Sequence, residues 1–244
     1  QGAIGCDCEK LDDDDQLEQT VVSLVEAEMT LSGEYELDQM GNSVCSGDMN
    51  GDHLADLVIA AYRHDANGFL SGAVYGVYSP ADGEIAGEDA DFKLNGESEE
   101  TKAGFSISCD GDINADGFDD LLVGAPTESA ANDESGAVYL LPGPFNGAMT
   151  LPADGNKIFG EEERDHVGWS VAFIEDINGD QADEIAIGAI GSDTGAWDGG
   201  AVFVLLSPIQ ETGSVSFADA ALLGESMSDS AGATVACGGD VDGD

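Results

Sequence analysis

Basic residues are scarce in this 244-residue chain, which has six lysines and arginines against 51 aspartates and glutamates. The formal net charge of −45 repels nucleic acids and anionic membrane surfaces, so we expect neither as a partner. Long apolar runs are also missing, because no stretch approaches the ~20 apolar residues of a membrane-spanning helix. A hydrophobic content of 42% is still enough to build a substantial core.

The sequence also has little of what enzymes use for catalysis. The three histidines, His53, His64 and His166, show no metal-binding spacing of the HExxH type. Neither a G-x-S-x-G nucleophile elbow nor a phosphate-binding glycine loop is present. Carboxylate pairs are expected by chance among 51 acidic residues, so they do not indicate glycosidase chemistry. We therefore predict that the chain is not an enzyme.

One acidic motif occurs four times at a constant interval of 64 residues. In the three complete copies side-chain oxygens stand at positions 1, 3, 5 and 9, and the residue at position 7 can offer its backbone carbonyl; the fourth copy is truncated after position 5. Ca²⁺ accepts six to eight oxygen ligands, so this alternation predicts a calcium-binding loop. In chain order the predicted ligands are Asp48, Asn50, Asp52, Leu54 and Asp56; Asp112, Asn114, Asp116, Phe118 and Asp120; Asp176, Asn178, Asp180, Ala182 and Glu184; and Asp240, Asp242 and Asp244.

The motif also allows two other interpretations. An EF-hand needs a bidentate glutamate at position 12, where this sequence has Ile59, Val123 or Ile187, so that interpretation fails. The alternative that Asp, Asn and Gly simply form turns is less favoured, because four copies stand in register.

Each repeat contains four short strand patterns separated by Gly, Pro and Asp turns, which predicts an all-β fold of four-stranded antiparallel blades. The predicted repeats span about 33–95, 96–159 and 160–223, with a partial repeat at 224–244. Residues 1–30 form an acidic lead-in with a predicted strand towards its end. One such sheet cannot bury both faces alone, and stacked four-stranded repeats of this length indicate a β-propeller, with a solenoid as the rival.

The run from Phe105-Ser106 through Asp112-x-Asn-x-Asp-Gly to Asp120-Leu-Leu-Val-Gly-Ala-Pro126 resembles the FG-GAP repeat of integrin α-subunit propellers. Related repeats occur in many secreted bacterial proteins, and the resemblance extends over about residues 30–244. It implies a bladed propeller with Ca²⁺ between strands 1 and 2 of each blade, an extracellular or cell-surface location, and a structural or adhesive role. The third repeat departs from the pattern with Glu184 at position 9 and Ile190 in place of proline.

Three complete repeats fall short of the six to eight blades of a typical ring. We interpret the sequence as a piece of a longer protein, with copies that complete one another as the alternative. Ligands are expected at the variable loops 63–71, 127–135 and 191–199, where a protein or a glycan would bind. A lectin-like propeller, an accessory propeller of a secreted hydrolase and self-association into a surface fibre remain alternatives.

Three of the five cysteines, Cys45, Cys109 and Cys237, lie three residues before a predicted loop. Phe173 fills the same place in the third repeat, which favours a small buried core position and a free thiol, with a disulfide as the alternative. Cys6 and Cys8 are too close together for an easy mutual disulfide.

Overall fold

The structure is a computed structural model that describes residues 29–129, 131–151, 156–209 and 212–237. The lead-in up to residue 28 and the whole of the predicted fourth metal loop therefore lie outside the described residues. Strands dominate, and the helical elements among the described residues are two single 3₁₀ turns, Gly87–Asp89 and Val215–Phe217. In chain order the strands are β1 Met29–Ser32, β2 Val44–Gly47, β3 Asp56–Ala61, β4 Ala73–Val77, β5 Gly83–Ala86, β6 Phe92–Asn95, β7 Ser106–Gly111, β8 Asp120–Ala125, β9 Ala137–Leu141, β10 Gly147–Thr150, β11 Asn156–Phe159, β12 Val167–Ile174, β13 Glu184–Ala189, β14 Ala201–Leu205, β15 Gly213–Ser214 and β16 Ala220–Leu223.

Each of the three complete repeats forms one blade of four antiparallel strands, as the sequence predicts. The first blade is β2-β3-β4-β6, the second is β7-β8-β9-β11, and the third is β12-β13-β14-β16. The second strand of each blade is a short apolar run with nearly every side chain buried, which is typical of a strand covered on both faces. This all-β, mainly antiparallel architecture fits a β-propeller.

A fifth strand joins two of these sheets and was not predicted. β10 pairs in parallel with β6, although β10 belongs to the following repeat, and β15 pairs with β11 in the same way. β5 likewise pairs with β1, which stands one repeat before β6. The outer strand of a blade has an edge of unpaired backbone groups, and a passing segment of the next repeat satisfies them.

The core lies between neighbouring blades. Val58 and Phe92 of the first blade pack in one buried cluster with Leu121 and Tyr139 of the second. A second cluster joins the second and third blades. The described blades do not close a ring.

The blades approach so closely that side chains are excluded at some points. A Cβ atom at Gly124 of the second blade would lie 2.2 Å from the carbonyl oxygen of Gly168 in the third. The Ser106 hydroxyl donates a hydrogen bond to that same carbonyl at 2.9 Å. The glycine of the Gly-Ala-Pro motif is therefore required by blade packing.

A disulfide links Cys45 of β2 to Cys109 of β7, with their Cα atoms 5.8 Å apart. The favoured free-thiol interpretation is therefore wrong for these two residues. The reason is that the first strands of adjacent blades pack directly against each other, which brings residues one repeat apart into bonding distance. Cys237 is a free, exposed thiol.

Candidate metal-binding loops

The three described acidic loops join the first and second strands of each blade, at the same end of every blade. Position 9 of each loop is the first residue of the second strand, filled by Asp56, Asp120 or Glu184. All three carboxylates are buried, with at most 1% of each residue exposed. Each loop is therefore largely exposed to solvent, but its last predicted ligand is a carboxylate buried inside the blade.

Successive side-chain-to-backbone hydrogen bonds give each loop its shape. In the second loop the Asp112 carboxylate accepts from the amides of Asp116 at 3.1 Å and Gly117 at 2.7 Å. The Asn114 side-chain oxygen accepts from the Asp116 amide at 2.9 Å, and Asp116 accepts from the amide of Phe118 at 3.0 Å. These Asx turns curl the chain and place positions 1, 3 and 5 within one tight turn.

The position 9 carboxylate spans two parts of its blade. Asp120 accepts from the amide of Ile113 at 2.9 Å and from that of Gly143 at 2.7 Å, which ties the loop to the turn after β9. Burial raises the pKa of Asp120 to about 7, and the negative charges of Asp116 and Asp112 add to the effect. A cation among these groups would offset both causes.

The third loop brings three carboxylates together. Oxygens of Asp176, Asp180 and Glu184 all lie within 4.8 Å of one another. Ca²⁺ binds oxygens at 2.3–2.6 Å, so one ion fits between three oxygens at this spacing, and an all-oxygen set suits a hard cation. Within the described ranges the corresponding carboxylates of the other two loops do not approach this closely.

The remaining predicted ligands are placed as follows. Leu54, Phe118 and Ala182 stand at position 7, and the amide of each donates to the carboxylate at position 5 at 2.8–3.0 Å. Asp240, Asp242 and Asp244 lie outside the described residues.

Two loop positions that sequence reasoning missed also carry structural roles. Position 2 is apolar in every loop, and Met49 and Ile113 are buried in the cores between the blades. Position 8 is Asp119 in the second loop and Asp183 in the third, and both bond to the preceding blade. The recurrence of an apolar residue at position 2 was a readable signal, whereas position 8 is alanine in the first loop and its partner lies in another repeat.

Two of the six basic residues are used inside the blades. Lys157 lies 2.8 Å from Glu97 and 3.1 Å from Glu128, and its ammonium nitrogen stands 5.4 Å from the centre of the Tyr139 ring. Lys93 makes the equivalent ion pair with Glu34 in the first blade. These lysines pair with buried or half-buried carboxylates and are therefore structural in this chain.

The opposite end of the blades carries the variable loops and a row of aromatic rings. The Phe105 ring lies between Tyr62 of the first blade, with centroids 5.4 Å apart, and Trp169 of the third, at 4.7 Å. Trp197, in the loop 191–199, leaves 67% of its surface exposed. The interpretation of Trp169 as a packing residue agrees with its half-buried ring contacts.

Four-stranded antiparallel sheets with an acidic loop between the first two strands fit the β-propeller class. The FG-GAP repeat model matches residues 40–77 and 104–141, which fall in the first and second blades. The chain is 33% identical to integrin alpha-6 of Gallus gallus over 167 residues, 67% of this chain and 14% of that protein.

Two further curated relatives, also integrin alpha chains, match this chain to a similar extent. Integrin alpha-7 of Rattus norvegicus is 33% identical over 177 residues, 69% of this chain and 14% of that protein. Integrin alpha-4 of Xenopus laevis is 34% identical over 163 residues, 63% of this chain and 14% of that protein. The chain thus spans only 14% of the length of these relatives, and the matches support an FG-GAP, integrin-like assignment for its blades. The described residues contain no helix with the length and apolarity needed to cross a bilayer.

Proposed function

We propose that this chain is a calcium-stabilised, non-catalytic β-propeller module with a structural or adhesive role outside the cell. The observation that carries the proposal is the convergence of Asp176, Asp180 and Glu184 in a loop that recurs at the same place in each blade. The similarity to integrin alpha chains supports the adhesive role.

Calcium would be held by the side chains at positions 1, 3, 5 and 9 of each loop and by the carbonyl at position 7. In the first loop these are Asp48, Asn50, Asp52, Asp56 and Leu54, and the fourth loop would use Asp240, Asp242 and Asp244. The bound ion would supply positive charge where the chain concentrates carboxylates. Because the ion binds the folded loops and not the unfolded chain, it stabilises the fold by mass action.

Several features favour an extracellular site of action. The disulfide between Cys45 and Cys109 is of the kind that persists in oxidising compartments. Carboxylate loops of this type also suit the high calcium concentrations found outside cells.

The variable loops at the end of the blades opposite the acidic loops would bind a protein partner. Their surface carries exposed apolar side chains, including Phe69, of which 58% is exposed, and Trp197. Rigid blades beneath exposed loops are a common arrangement for recognition.

The absence of catalysis is part of the proposal, and the described residues offer one pair that resembles a catalytic arrangement. The Nδ1 atom of His64 lies 2.7 Å from the Asp38 carboxylate, as in a base oriented by an acid. However, the ring is 98% buried and its other nitrogen faces Lys93 at 3.1 Å rather than a nucleophile. We therefore assign this pair to the buried polar network.

The test compares the melting temperature of the chain in calcium and in excess chelator. We expect a fall of roughly 10 °C or more on chelation, because a loss of several kcal/mol of binding energy shifts a chain of this size by that amount. The double variant Asp176→Asn/Asp180→Asn should lose part of the calcium effect, whereas Glu175→Gln, an exposed acid beside the same loop, should keep all of it. Equal melting temperatures with and without calcium in the unmodified chain would refute the calcium assignment.

A glycan ligand is the second candidate, and the exposure of Trp197 is the observation that favours it. An exposed indole can stack on a sugar ring. Binding on a glycan array that disappears with Trp197→Ala would establish this function, and an array without signal would leave the protein-partner proposal in place.

A further inference from the structure

The acidic loops of neighbouring blades are joined by a two-point backbone clamp. The Asp119 carboxylate in the second loop accepts a hydrogen bond from the amide of Asp48 in the first loop at 2.6 Å. The amide of Asp119 donates to the carbonyl of Asp48 at 3.1 Å. Both bonds act on the residue that stands at position 1 of the preceding loop.

The same clamp recurs one repeat later. The Asp183 carboxylate accepts from the amide of Asp112 at 2.8 Å, and the Asp183 amide donates to the Asp112 carbonyl at 2.9 Å. Two independent copies with matching atoms show that the contact belongs to the repeat. Neither aspartate is among the predicted ligands of its own loop, and the carboxylate of each accepts a hydrogen bond from the preceding blade.

A side-chain contact reinforces the junction between the first two loops. A Cβ atom at Gly51, position 4 of the first loop, would lie 2.5 Å from the ring of Phe118 in the second loop. The ring therefore covers the backbone of the first loop beside the clamp. The first and second loops are thus each held in shape partly by residues of the blade that follows.

We propose that Asp119 and Asp183 are positioning residues that set the cation affinity of the preceding blade's loop rather than of their own. This inference rests on the proposed calcium function. The first ligand, Asp48 or Asp112, must present its carboxylate to the ion, and its backbone is fixed on both sides by the clamp. Loss of the clamp leaves that ligand to be ordered when the ion binds, which lowers affinity.

The first loop differs from the second and third loops at position 8. Its position 8 residue is Ala55, which has no carboxylate to offer, so the first loop receives a clamp and gives none through that side chain. The second loop both receives a clamp, from Asp183, and gives one, through Asp119.

The test is a calcium titration of the full chain, followed by nitrogen–proton NMR at buffered free calcium. Gly51, Gly117 and Gly179 lie in the first, second and third loops, so their amide signals report each loop separately. We expect Asp183→Ala to weaken calcium binding at the Gly117 signal about tenfold, the size expected for one lost hydrogen bond to a charged group. The Gly179 signal, in the loop that contains the substitution, should change less than twofold.

Asp183→Asn provides the conservative control, since its side-chain oxygen can still accept from the Asp112 amide while the charge is removed. We expect it to restore most of the affinity at Gly117. A purely structural role would lower the stability of the chain without moving the Gly117 midpoint. A purely electrostatic role would make the Asn and Ala variants alike.

Asp119→Ala repeats the test at the first loop with Gly51 as the reporter, and it applies equally if Asp183→Ala does not fold. Unchanged affinity at the preceding loop, or a loss confined to the substituted loop, overturns the inference while calcium binding itself stands. Absence of any calcium-dependent shift in the unmodified chain overturns the proposed function, and this inference with it.

Discussion

Left-handed backbone conformations occur at positions 4 and 6 of each acidic loop, and glycine does not fill all of them. Position 6 is Gly117 in the second loop, with φ of 88°, but Gln181 in the third, with φ of 76°, and His53 in the first, with φ of 66°. An L residue pays a steric penalty in this region that glycine avoids. The first and third loops therefore contain backbone strain that the second loop lacks at this position.

Replacement of Gln181 by glycine should stabilise the protein by about 0.5–1 kcal/mol. Glycine removes the steric penalty of the left-handed conformation, but it also raises the entropy of the unfolded chain, which offsets part of that gain. Gly117→Ala, the reverse change at the equivalent position, should destabilise it by a similar amount. Urea unfolding at saturating calcium measures both. A destabilised Gln181→Gly would mean that the glutamine side chain contributes a contact that outweighs the strain.

The carboxylates with raised pKa values predict an unusual pH dependence in chelator. Burial raises the pKa of Asp56 and Asp119, and that of Asp120 to about 7. Between pH 4 and 7 these three carboxyl groups hold more protons in the folded chain than in the unfolded chain, so their contribution to the free energy of unfolding falls as pH rises through this window.

We expect this fall in chelator and its suppression by calcium, because a bound cation keeps the same carboxylates ionised in the folded state. Asp120→Asn should flatten the chelator profile between pH 4 and 7. The measurement is urea unfolding across that pH range, with and without calcium. A chelator profile that rises towards pH 7 would contradict the raised pKa values.

Among the elements, the first strands of the blades are joined covalently. The disulfide between Cys45 and Cys109 closes a loop that spans 64 residues. Reduction should lower the free energy of unfolding by about 4 kcal/mol, because the open chain gains loop entropy when it unfolds. Thermal melts with and without reductant test this, Cys237→Ser serves as the unaffected control, and mass spectrometry of the linked peptide confirms the pairing.

The close packing of the second blade against the third can be tested by substitution of Gly124. Gly124→Ala should cost about 1–3 kcal/mol, since the new methyl meets a backbone carbonyl that cannot move aside independently. Gly33→Ala is the matched control, because the nearest atom to its new Cβ is 3.4 Å away and its φ is ordinary. Equal stability of the two variants would show that the blades separate at little cost.

The elements show how far sequence reasoning reached. The 64-residue period predicted the four-stranded blades and put each acidic loop between the first and second strands, because those features repeat inside each unit. The period of a single repeat could not predict the parallel pairing of β10 with β6 and of β15 with β11, the disulfide or the Asp119 clamp, because each of these joins two different repeats. Phe173 in the cysteine position of the third repeat even favoured a free thiol.

At the scale of the whole molecule, charge opposes folding. The net charge of the 244 residues is −45, and the negative side chains repel one another more strongly in the compact folded state than in the extended unfolded state. In chelator, raising sodium chloride from about 20 mM to about 1 M should therefore raise the melting temperature, since the screening length falls from tens to a few ångströms.

Calcium should reduce this salt dependence by neutralising the loops from within. Choline chloride at the same ionic strength should act like sodium chloride if screening is responsible. A rise that occurs with sodium alone would instead indicate specific sodium binding.

The parallel pairing of β10 with β6 also affects the order in which the blade is completed during synthesis. The chain is synthesised from its amino terminus, so β6 is complete about 50 residues before β10 leaves the ribosome, roughly 3–10 s at ordinary rates. During that interval the outer edge of the first blade has no cover and can pair with the same edge of another nascent chain. The second blade passes through the same interval before β15 arrives. The outer edges of the first and second blades are thus covered only after a strand of the next repeat has been made, and we expect misassembly of this protein to be most frequent on dense polysomes.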